Sequence, residues 1–574
     1  MKYFFMLLVL CHGFFLNAQE KNSAQKIKDA IQSGAITEDQ GMEYFGMLLG
    51  NQAGQLPQSL QSSAPIKCGF PIIADLKAYQ KKHPEKTLLH KSFVQQTFYD
   101  HVFNYKGINK VFRFQHDTSG FDQIPPEDLN SNGVRDYLEE AGKAFEKAYR
   151  LQIDTLGYKE PFNFPSNGFY EVTIRNISEY GFTEWDSDPR LSFITIDNDY
   201  SSGYYTEGYD ALRVTCAHEF FHAVQLSYTD TRISDDDFWY YEVSSTWMED
   251  VAYDEVNDYY SYLPSYFNSP NVMLNAYNGS HEYGAAVWNH YLAKKFGTGI
   301  IRQIWETMQA QSSLNALADV LQPHAGLSKA FSEFSIWNYF TKNRADETSY
   351  YPEGSSYPRV KFETNRNLAD TTVSRTLPSL ASYYHNFYLT DSGSCTITFN
   401  PIASGNYFEV ITIEYNQVSN KKYITNHGNV SSVLIDQLIP DDSLSIIIVN
   451  KEKTLPGGAP YYLSVSFNRD SVILDPIAKF HFYPNPFVND GQSHINLKFR
   501  LRKTTSLQFE IYTMSGRLVR KIDYGELPSG VYDGTNGLTW NGRDHTGQLV
   551  PSGIYIYKFT GDDFTKTGKI AVVR

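Results

Sequence analysis

The chain has 574 residues, which exceeds the size of one ordinary domain, so several domains are predicted. A formal net charge of -14 argues against nucleic acids and anionic membrane surfaces as partners. Four cysteines in a chain of this length argue against a disulfide-stapled framework.

Residues 1–18 are predicted to form a signal peptide. Lys2 supplies the positive charge, residues 3–10 form the apolar core, and Ala18 ends a short cleavage motif. No later apolar run is long enough to span a bilayer. We therefore expect an exported chain without a transmembrane segment.

Residues 19–107 are predicted to form a helical, polar pro-region, which is interrupted by a linker rich in Gln, Ser and Pro over residues 54–65. Cys68 follows this linker and opens a Cys-Gly-Phe-Pro motif. Its thiol has three interpretations that the residues leave open. It is an inhibitory ligand of a metal ion, a buried free thiol, or a disulfide partner of Cys395.

The twelve residues from 128 to 139 fit a calcium loop of the EF-hand type at every ligand position. The predicted ligands are the side chains of Asp128, Asn130 and Asn132, the carbonyl oxygen of Val134, Asp136 directly or through water, and both carboxylate oxygens of Glu139. Gly133 stands where the loop needs a sharp turn. Because only three ligands are carboxylates, we expect weak binding of extracellular calcium in a stabilising role.

Strand-like segments at residues 111–114 and 171–174 join the calcium loop in one α+β unit, which is predicted to span residues 108–345. A further strand, rich in β-branched residues, is predicted over residues 191–199. The sequence leaves its place in the sheet open. It is either an edge strand that pairs with an extended substrate or a central strand.

The pentapeptide His-Glu-Phe-Phe-His, from His218 to His222, carries the most informative chemistry of the chain. Residues i and i+4 share one face of a helix, so the two histidines can bind a single metal ion. Glu219 then lies beside the open coordination position, where it can take a proton from a metal-activated water. The motif therefore predicts the chemistry of a zinc-dependent peptidase.

A glutamate on the next predicted helix can complete the zinc site. Glu242 lies twenty positions beyond His222, a spacing that a helix, a turn and a return helix can close. The motif and this spacing resemble the gluzincin metallopeptidases, the thermolysin-like clan. The resemblance implies zinc binding by His218, His222 and Glu242, and it makes Glu219 the general base. Glu249, on the same face of that helix, is either a partner that orients a histidine or the third ligand itself.

The motif at Cys68 resembles the cysteine switch of matrix metallopeptidases, in which a propeptide thiolate occupies the open position of zinc. The match is limited to Cys-Gly-x-Pro, and the third metal ligand of that family is of a different type. The resemblance implies a zymogen that stays silent until this segment is removed.

Peptide hydrolysis also needs a donor for the developing oxyanion besides the metal ion. His281 and Tyr283 are candidates by residue type and because they stand at the start of a predicted helix. Helix capping and core packing are the alternative roles of these two side chains.

Two β-domains are predicted after the α+β unit. The apolar pattern has a period of two over residues 350–470, and the strand rhythm over residues 476–574 predicts a smaller, immunoglobulin-like sandwich. The order of motifs in this last segment resembles the C-terminal sorting domain of the type IX secretion system of Gram-negative bacteria. The resemblance implies the type IX machinery as a partner and a route through the periplasm and outer membrane to the cell surface or the medium.

These predictions describe a multidomain protein with an α+β, zincin-like metallopeptidase domain followed by two β-sandwich domains of immunoglobulin-like type. The chain also resembles exported bacterial metallopeptidases over residues 108–345 and about its last ninety residues. The predicted function is a secreted, monomeric zinc endopeptidase, stabilised by calcium, that acts on protein or peptide substrates. Two alternatives stay open, namely a surface-binding protein or adhesin with a vestigial peptidase domain, and a zinc amidase that acts on cell-wall peptides.

Overall fold

A computed structural model shows that the chain divides into two compact units, Met1–Lys361 and Phe362–Arg574. We call them the N-terminal unit and the C-terminal unit. The structure describes residues 21–86, 97–164, 168–185, 188–229, 233–402, 405, 407–416, 421–440, 442–469, 477–501, 504–532 and 538–574. The signal peptide predicted for residues 1–18 lies outside the described residues.

The N-terminal unit begins with three helices, α1 (Ser23–Gln32), α2 (Glu38–Leu49) and α3 (Phe70–Lys82). The first two begin with capping boxes, in which the side chain at the N-cap and the glutamine three residues later exchange hydrogen bonds with each other's backbone. A proline in the first turn of α3 fits a position where a backbone N–H has no partner within the helix. The helices share a small hydrophobic core.

Five strands form the sheet of the N-terminal unit: β1 (Thr97–Tyr105), β2 (Ile108–His116), β3 (Tyr170–Ile174), β4 (Gly181–Trp185) and β5 (Ser192–Ile196). Their order in the sheet is β1-β2-β3-β5-β4. Strands β2, β3 and β5 are parallel, whereas β1 and β4 run antiparallel to their neighbours. The strand predicted over residues 191–199 is therefore internal, and β4 forms the edge beside it.

The predicted boundary between residues 107 and 108 needs correction, because it cuts the hairpin that joins β1 to β2. The two strands pair from Thr97 opposite His116 to Tyr105 opposite Ile108. Most side chains of β1 are exposed or half-buried, including those of Phe98 and Val102. Residues 97–107 belong to the sheet.

The described residues of the α+β region also form helices. They are α4 (Asp136–Tyr149, extended by a π turn at Arg150–Thr155), α5 (Gly208–Leu226), α6 (Phe238–Ala252), α7 (Leu263–Phe267), α8 (His281–Gly284), α9 (Val287–Phe296), α10 (Gly299–Met308), α11 (Ser313–Leu321) and α12 (Gly326–Tyr339). Helix α5 packs against α4, α6, β4 and β5. It is buried nearly throughout although it carries His218, Glu219, His222 and Gln225, and such buried polar side chains need partners inside the protein. No helix within the described ranges has the length and apolarity to cross a membrane.

The C-terminal unit is built of β-strands. Its first nine strands are β6 (Thr364–Asn367), β7 (Thr371–Leu377), β8 (Ala381–Tyr388), β9 (Gly393–Pro401), β10 (Phe408–Asn416), β11 (Lys421–Asn426), β12 (Ser432–Leu438), β13 (Asp442–Asn450) and β14 (Ala459–Arg469). They form two sheets, β11-β10-β13-β8-β6 and β12-β9-β14-β7, around one hydrophobic core. The sandwich predicted from residue 350 therefore begins at Thr364. Residues 350–361 belong to the N-terminal unit, where the Lys361 N–H donates to the Phe267 carbonyl at 2.8 Å.

The remaining strands form a second, smaller sandwich with its own core. They are β15 (Ile477–Tyr483), β16 (Phe487–Val488), β17 (Ile495–Leu501), β18 (Thr505–Thr513), β19 (Leu518–Leu527), β20 (Gly530–Tyr532), β21 (Thr539–Trp540), β22 (Gly553–Thr560) and β23 (Thr565–Val573). One sheet has the order β15-β17-β20, with β21 also paired to β17, and the other has the order β16-β23-β22-β18-β19. The chain is thus multidomain, with an N-terminal α+β region followed by β-rich domains.

Candidate metal centre

Helix α5 brings the two predicted metal-binding histidines together. His218 and His222 lie one helical turn apart, and their Nε2 atoms are 3.1 Å from each other. Both side chains are buried. This arrangement is the one that the i, i+4 spacing predicts.

Glu242 of α6 faces both histidines. Its Oε2 lies 3.3 Å from the His218 Nε2 and its Oε1 lies 3.4 Å from the His222 Nε2, yet neither oxygen has a hydrogen-bond partner. Buried carboxylate oxygens normally have such partners. Two imidazole nitrogens and one such carboxylate are the donor set of open zinc sites, so these residues fit a zinc ion.

The other ring nitrogen of each histidine has its own partner. The His218 Nδ1 lies 2.6 Å from the Glu249 Oε1, and the His222 Nδ1 lies 2.7 Å from the Gln225 Oε1. Both contacts hold the Nε2 atoms towards Glu242. Of its two predicted roles, Glu249 therefore has the position of the partner that orients a histidine, and not that of the third metal ligand. Gln225 is not among the predicted site residues, and its position three residues after His222 is the only sequence signal for this contact.

Glu219 lies beside this set and contacts the edge strand. Its Oε2 is 2.8 Å from the Thr183 hydroxyl of β4, and its Oε1 is 3.3 Å from the Cys68 thiol. Burial raises the pKa of Glu219, while His218 and His222 oppose this effect. For Glu242, burial alone would also raise the pKa, but the two histidines lower it to about 2. The two histidines thus favour the charged form of Glu242.

Cys68 joins the same cluster. Its Sγ is 3.5 Å from the His222 Nε2, and the ligand atoms of Cys68, His218, His222 and Glu242 all lie within 4.8 Å of one another. Burial and the nearby carboxylates raise the pKa of the thiol well above its usual value. Cys68 and Cys395 are both free, so the alternative of a disulfide between them is wrong for this structure.

The backbone around Cys68 pairs with the sheet edge at β4. The Gly69 N–H donates to the Gly181 carbonyl at 2.8 Å, and the Tyr180 N–H donates to the Ile66 carbonyl at 3.2 Å. A Cβ atom at residue 69 would lie 2.9 Å from the Phe182 Cβ, so this close approach requires glycine. The segment therefore contacts the edge of the sheet through its backbone just before α3 begins at Phe70.

Phe70 fills an aromatic pocket next to the cluster. Its ring stacks on the His222 imidazole with centroids 4.4 Å apart and an angle of 5° between the planes. The rings of Trp185, Tyr241 and Phe238 surround it at 5.5, 5.5 and 5.9 Å. Phe70 is fully buried, so its side chain anchors the segment beside a predicted metal ligand.

Lys67 is buried on the other side of Cys68. Its Nζ lies 2.8 Å from the Glu249 Oε2 and also forms an ion pair with Asp258. The ammonium lies over the rings of Tyr180 and Tyr262, 4.7 and 5.2 Å from their centroids. Burial alone would lower the pKa of Lys67, but Asp258 and Glu249 raise it overall. Lys67 is not among the predicted site residues.

The two predicted oxyanion donors differ in their surroundings. Burial raises the pKa of Tyr283 well above its usual value, and the nearby Glu242 and Cys68 raise it further. His281 instead contacts the Tyr266 ring at 5.1 Å, and burial lowers its pKa to about 4. The backbone groups of Ser265 and Met273 oppose this effect of burial on the pKa of His281. The Tyr283 ring packs on Tyr262 with centroids 5.5 Å apart, and the role of either residue as an oxyanion donor stays a prediction.

The predicted calcium loop folds on itself through its own side chains. Asp128 accepts hydrogen bonds from the N–H groups of Asn132 and Gly133 at 3.1 and 2.9 Å. The Glu139 carboxylate accepts from the side-chain amides of Asn130 and Asn132 at 2.9 and 2.6 Å. Gly133 has a φ of 85°, as the sharp turn requires. The loop has the predicted shape, and calcium binding stays a prediction.

Comparison with known proteins identifies two segments. Residues 118–336 match DUF6055, a family of unknown function, and residues 485–563 match the FlgD Ig-like domain. The first match includes the calcium loop, His218, His222 and both candidate glutamates. The second confirms an immunoglobulin-like module near the C-terminal end. None of the curated proteins compared with the chain is similar to it.

Several solved structures share short stretches with the chain. FlgD from P. aeruginosa is 17% identical over 17% of this chain and 74% of its own, with a TM-score of 0.13. Dimeric latent PorU from Porphyromonas gingivalis is 12% identical over 37% of this chain and 19% of its own, with a TM-score of 0.18. A β-glucuronidase from Ruminococcus gnavus is 12% identical over 33% and 35%, with a TM-score of 0.13. The chain spans about a fifth of PorU and a third of the glucuronidase, and TM-scores this low carry no argument about fold or activity.

Proposed function

We propose that the chain is the latent precursor of a secreted zinc endopeptidase with a zincin-like catalytic domain in its N-terminal unit. One observation carries the proposal: both oxygens of the buried Glu242 carboxylate lack hydrogen-bond partners and face the Nε2 atoms of His218 and His222. Two histidines and one carboxylate, with one position left open, are the zinc ligands of many hydrolases.

The residues around this set have separate roles in peptide hydrolysis. A zinc ion bound there supplies a Lewis acid that lowers the pKa of water and polarises the substrate carbonyl. Glu219 takes the proton of the attacking water and returns it to the departing amine. Thr183 holds one oxygen of that carboxylate at 2.8 Å, which leaves the other for the proton. Tyr283 is the candidate donor to the developing oxyanion.

The edge strand β4 is the binding site for the substrate backbone in this proposal. Its outer side has no other strand of the described sheet beside it, and the segment Ile66–Gly69 already uses backbone groups of Tyr180 and Gly181. An extended substrate can form the same type of hydrogen bond with any side-chain sequence, because only the main chain is read.

Latency follows from the same contacts. The Cys68 thiol lies within 3.5 Å of the His222 Nε2 and within 3.3 Å of the Glu219 carboxylate, where substrate would react. A thiolate is a good zinc ligand and would fill the open position. Removal of the segment Ile66–Gly69 then exposes both the predicted metal ligands and the edge strand β4.

Export through the type IX secretion system is part of the same proposal. The order of motifs in residues 476–574 and the immunoglobulin-like module there support a sorting domain. Calcium binding by the loop at residues 128–139 suits a protein that works outside the cell, where calcium is abundant.

The test combines zinc analysis with proteolysis. The full chain is analysed for bound zinc, treated by limited proteolysis to remove the pro-region, and assayed for casein hydrolysis in calcium buffer. Glu219→Gln is compared with Glu255→Gln, which changes an exposed carboxylate outside the cluster. We expect one zinc per chain in all three proteins, and activity after activation in the wild type and Glu255→Gln only.

The other outcomes are equally informative. Hydrolysis that persists in Glu219→Gln would identify a contaminant. Bound zinc without hydrolysis of casein, but with cleavage of cell-wall peptides, would favour the zinc amidase. Absence of zinc from the full chain would contradict the proposal and favour a binding protein with a vestigial site.

A further inference from the structure

The ammonium group of Lys67 occupies a pocket with a defined composition. Two carboxylates, Glu249 and Asp258, pair with the ammonium, and the rings of Tyr180 and Tyr262 lie beneath it. We call these four side chains the acidic pocket. All four follow the pro-region in sequence and belong to the α+β region, so the pocket stays behind when the pro-region is removed.

Each carboxylate of the acidic pocket has one oxygen engaged elsewhere and one directed at the cation. Asp258 accepts a hydrogen bond from the Tyr180 hydroxyl at 3.0 Å through Oδ1 and binds Lys67 through Oδ2. Glu249 contacts His218 through Oε1 and Lys67 through Oε2. The side chains of both acids are at most 1% exposed. When Lys67 leaves, two buried anionic oxygens lose their counter-charge, which is costly unless another cation replaces it.

The acidic pocket is next to the reaction centre along the cleft. Lys67 precedes Cys68, whose Sγ belongs to the cluster of predicted metal ligands. Backbone groups of Ile66 and Gly69, on either side of Lys67 and Cys68, are hydrogen-bonded to Tyr180 and Gly181 at the edge of the sheet. If a substrate binds as this segment does, one of its residues lies at the predicted metal ligands. The residue whose side chain enters the acidic pocket is then its direct neighbour in sequence.

We infer that the acidic pocket is the main specificity site of the activated enzyme and that it binds a lysine or arginine side chain of the substrate beside the scissile bond. This inference rests on the proposed function and names the substrate class: extended protein segments with a basic residue at that place. Paired carboxylates over aromatic rings recognise cations by charge-assisted hydrogen bonds and by cation–π attraction. In the precursor, Lys67 imitates that residue.

The first test compares matched peptide substrates. The full chain, activated by limited proteolysis, is given three sets of peptides that carry lysine, its neutral isostere norleucine, or glutamate at successive positions around a common cleavage site. We expect kcat/KM for the best lysine peptide to exceed that of its norleucine match by about tenfold to a hundredfold, as for one charge-assisted pair. The glutamate peptide should be the poorest substrate.

Two variants assign this preference to the acidic pocket. Asp258→Asn removes one carboxylate charge without touching a predicted metal ligand, and the lysine-to-norleucine ratio should fall below about threefold. Asp254→Asn changes an exposed aspartate four residues away and should keep the wild-type ratio. Cleavage of all peptides with equal lysine and norleucine rates in the wild type would overturn the inference and leave the peptidase proposal intact.

A second measurement needs no activity. Lys67→Ala in the full chain leaves the carboxylates unpaired, and n-propylammonium chloride should then raise the melting temperature more than sodium chloride at equal ionic strength. The response should be absent from wild type and from Lys67→Ala combined with Asp258→Asn. If no peptide is cleaved at all, the proposed function fails while this response still supports a cation pocket. A lack of response in Lys67→Ala would overturn the inference.

Discussion

The two predicted ion sites of the N-terminal unit are built in opposite ways. The candidate metal centre takes His218 and His222 from α5, Glu242 from α6 and Cys68 from the segment that precedes α3, and all four are buried. The calcium loop is a continuous stretch of twelve residues, and its ligand side chains are exposed or half-buried. One site depends on tertiary packing and the other on local turn geometry.

The two sites also differ in whether their polar groups already have hydrogen-bond partners. Both Glu242 oxygens lack hydrogen-bond partners. In the loop, the side-chain oxygens of the predicted ligands already accept hydrogen bonds from the loop itself, for example Asp128 from Gly133 at 2.9 Å and Asn132 from Val134 at 2.8 Å. A metal ion at Glu242 would bind carboxylate oxygens that have no hydrogen-bond partner. Calcium in the loop would have to compete with the hydrogen bonds that already exist there and with water. We therefore expect tight binding at the first site and weak binding at the second.

The largest effect is expected from Glu242→Ala. Zinc binding in proteins is worth about 10–16 kcal/mol shared among a few ligands, so loss of one ligand should weaken affinity more than a hundredfold. A competition titration of the full chain against a chelator of known affinity measures this, with Glu255→Gln as the control. Zinc affinity within threefold of wild type would exclude Glu242 as a ligand.

The next largest effect is expected from Phe70→Ala, which tests how far the buried centre depends on the pro-region. Removing a fully buried ring from contact with His222, Trp185 and Tyr241 should cost about 3–5 kcal/mol of packing. The segment should then detach more often, and the rate of its cleavage by an added protease should rise more than tenfold. Phe121→Ala, at a side chain that is 71% exposed, is the matched control. Equal cleavage rates in both variants would show that Phe70 does not hold the segment.

Glu249→Gln separates an orienting residue from a ligand. Loss of a carboxylate that orients a ligating histidine weakens metal binding by about 10–100-fold, which is less than loss of a ligand. The same chelator titration measures it beside Glu242→Ala. A loss at Glu249 equal to or larger than that at Glu242 would reverse the two assignments.

The smallest effect is expected at the calcium loop. With a dissociation constant of about 1 mM, calcium at about 10 mM should stabilise the folded protein by about 1.4 kcal/mol. Thermal unfolding of the full chain with calcium, and with magnesium at equal ionic strength, measures this stabilisation. Glu139→Gln should abolish it, and Glu127→Gln, at an exposed carboxylate just before the loop, should retain it. Stabilisation that survives Glu139→Gln would place the calcium elsewhere.

Local spacing explains which parts of the fold and site could be predicted from sequence. The i, i+4 histidines needed only helix geometry, and the turn at Gly133 needed only the pattern of the loop. The interior place of β5 could not be predicted, because strand order depends on partners that are distant in sequence. The strand β1 was assigned to the predicted pro-region although its partner β2 follows directly after the turn at Lys106 and Gly107, a hairpin signal that the sequence carries.

Contacts across long separations in the chain were beyond any sequence pattern. Lys67 and Asp258 are 191 positions apart, and Cys68 and Glu219 are 151 apart. No periodicity links such residues, because what joins them is the packing of the segment 66–70 onto β4, α5 and α6. Because no sequence pattern shows such contacts, the thiol of Cys68 had three open interpretations and Lys67 had no predicted role.

The sequence by itself determined the donor types, the helix that carries two of them, the loop shaped for calcium and the two β-rich domains. It could do so because helix, strand and turn periodicities are local properties of the backbone. Only the tertiary structure decided that Glu242 rather than Glu249 faces the histidine Nε2 atoms and that Lys67 is buried between two acids. These choices follow from the packing of elements that are far apart in the chain, and burial then fixes which polar atoms lack a partner.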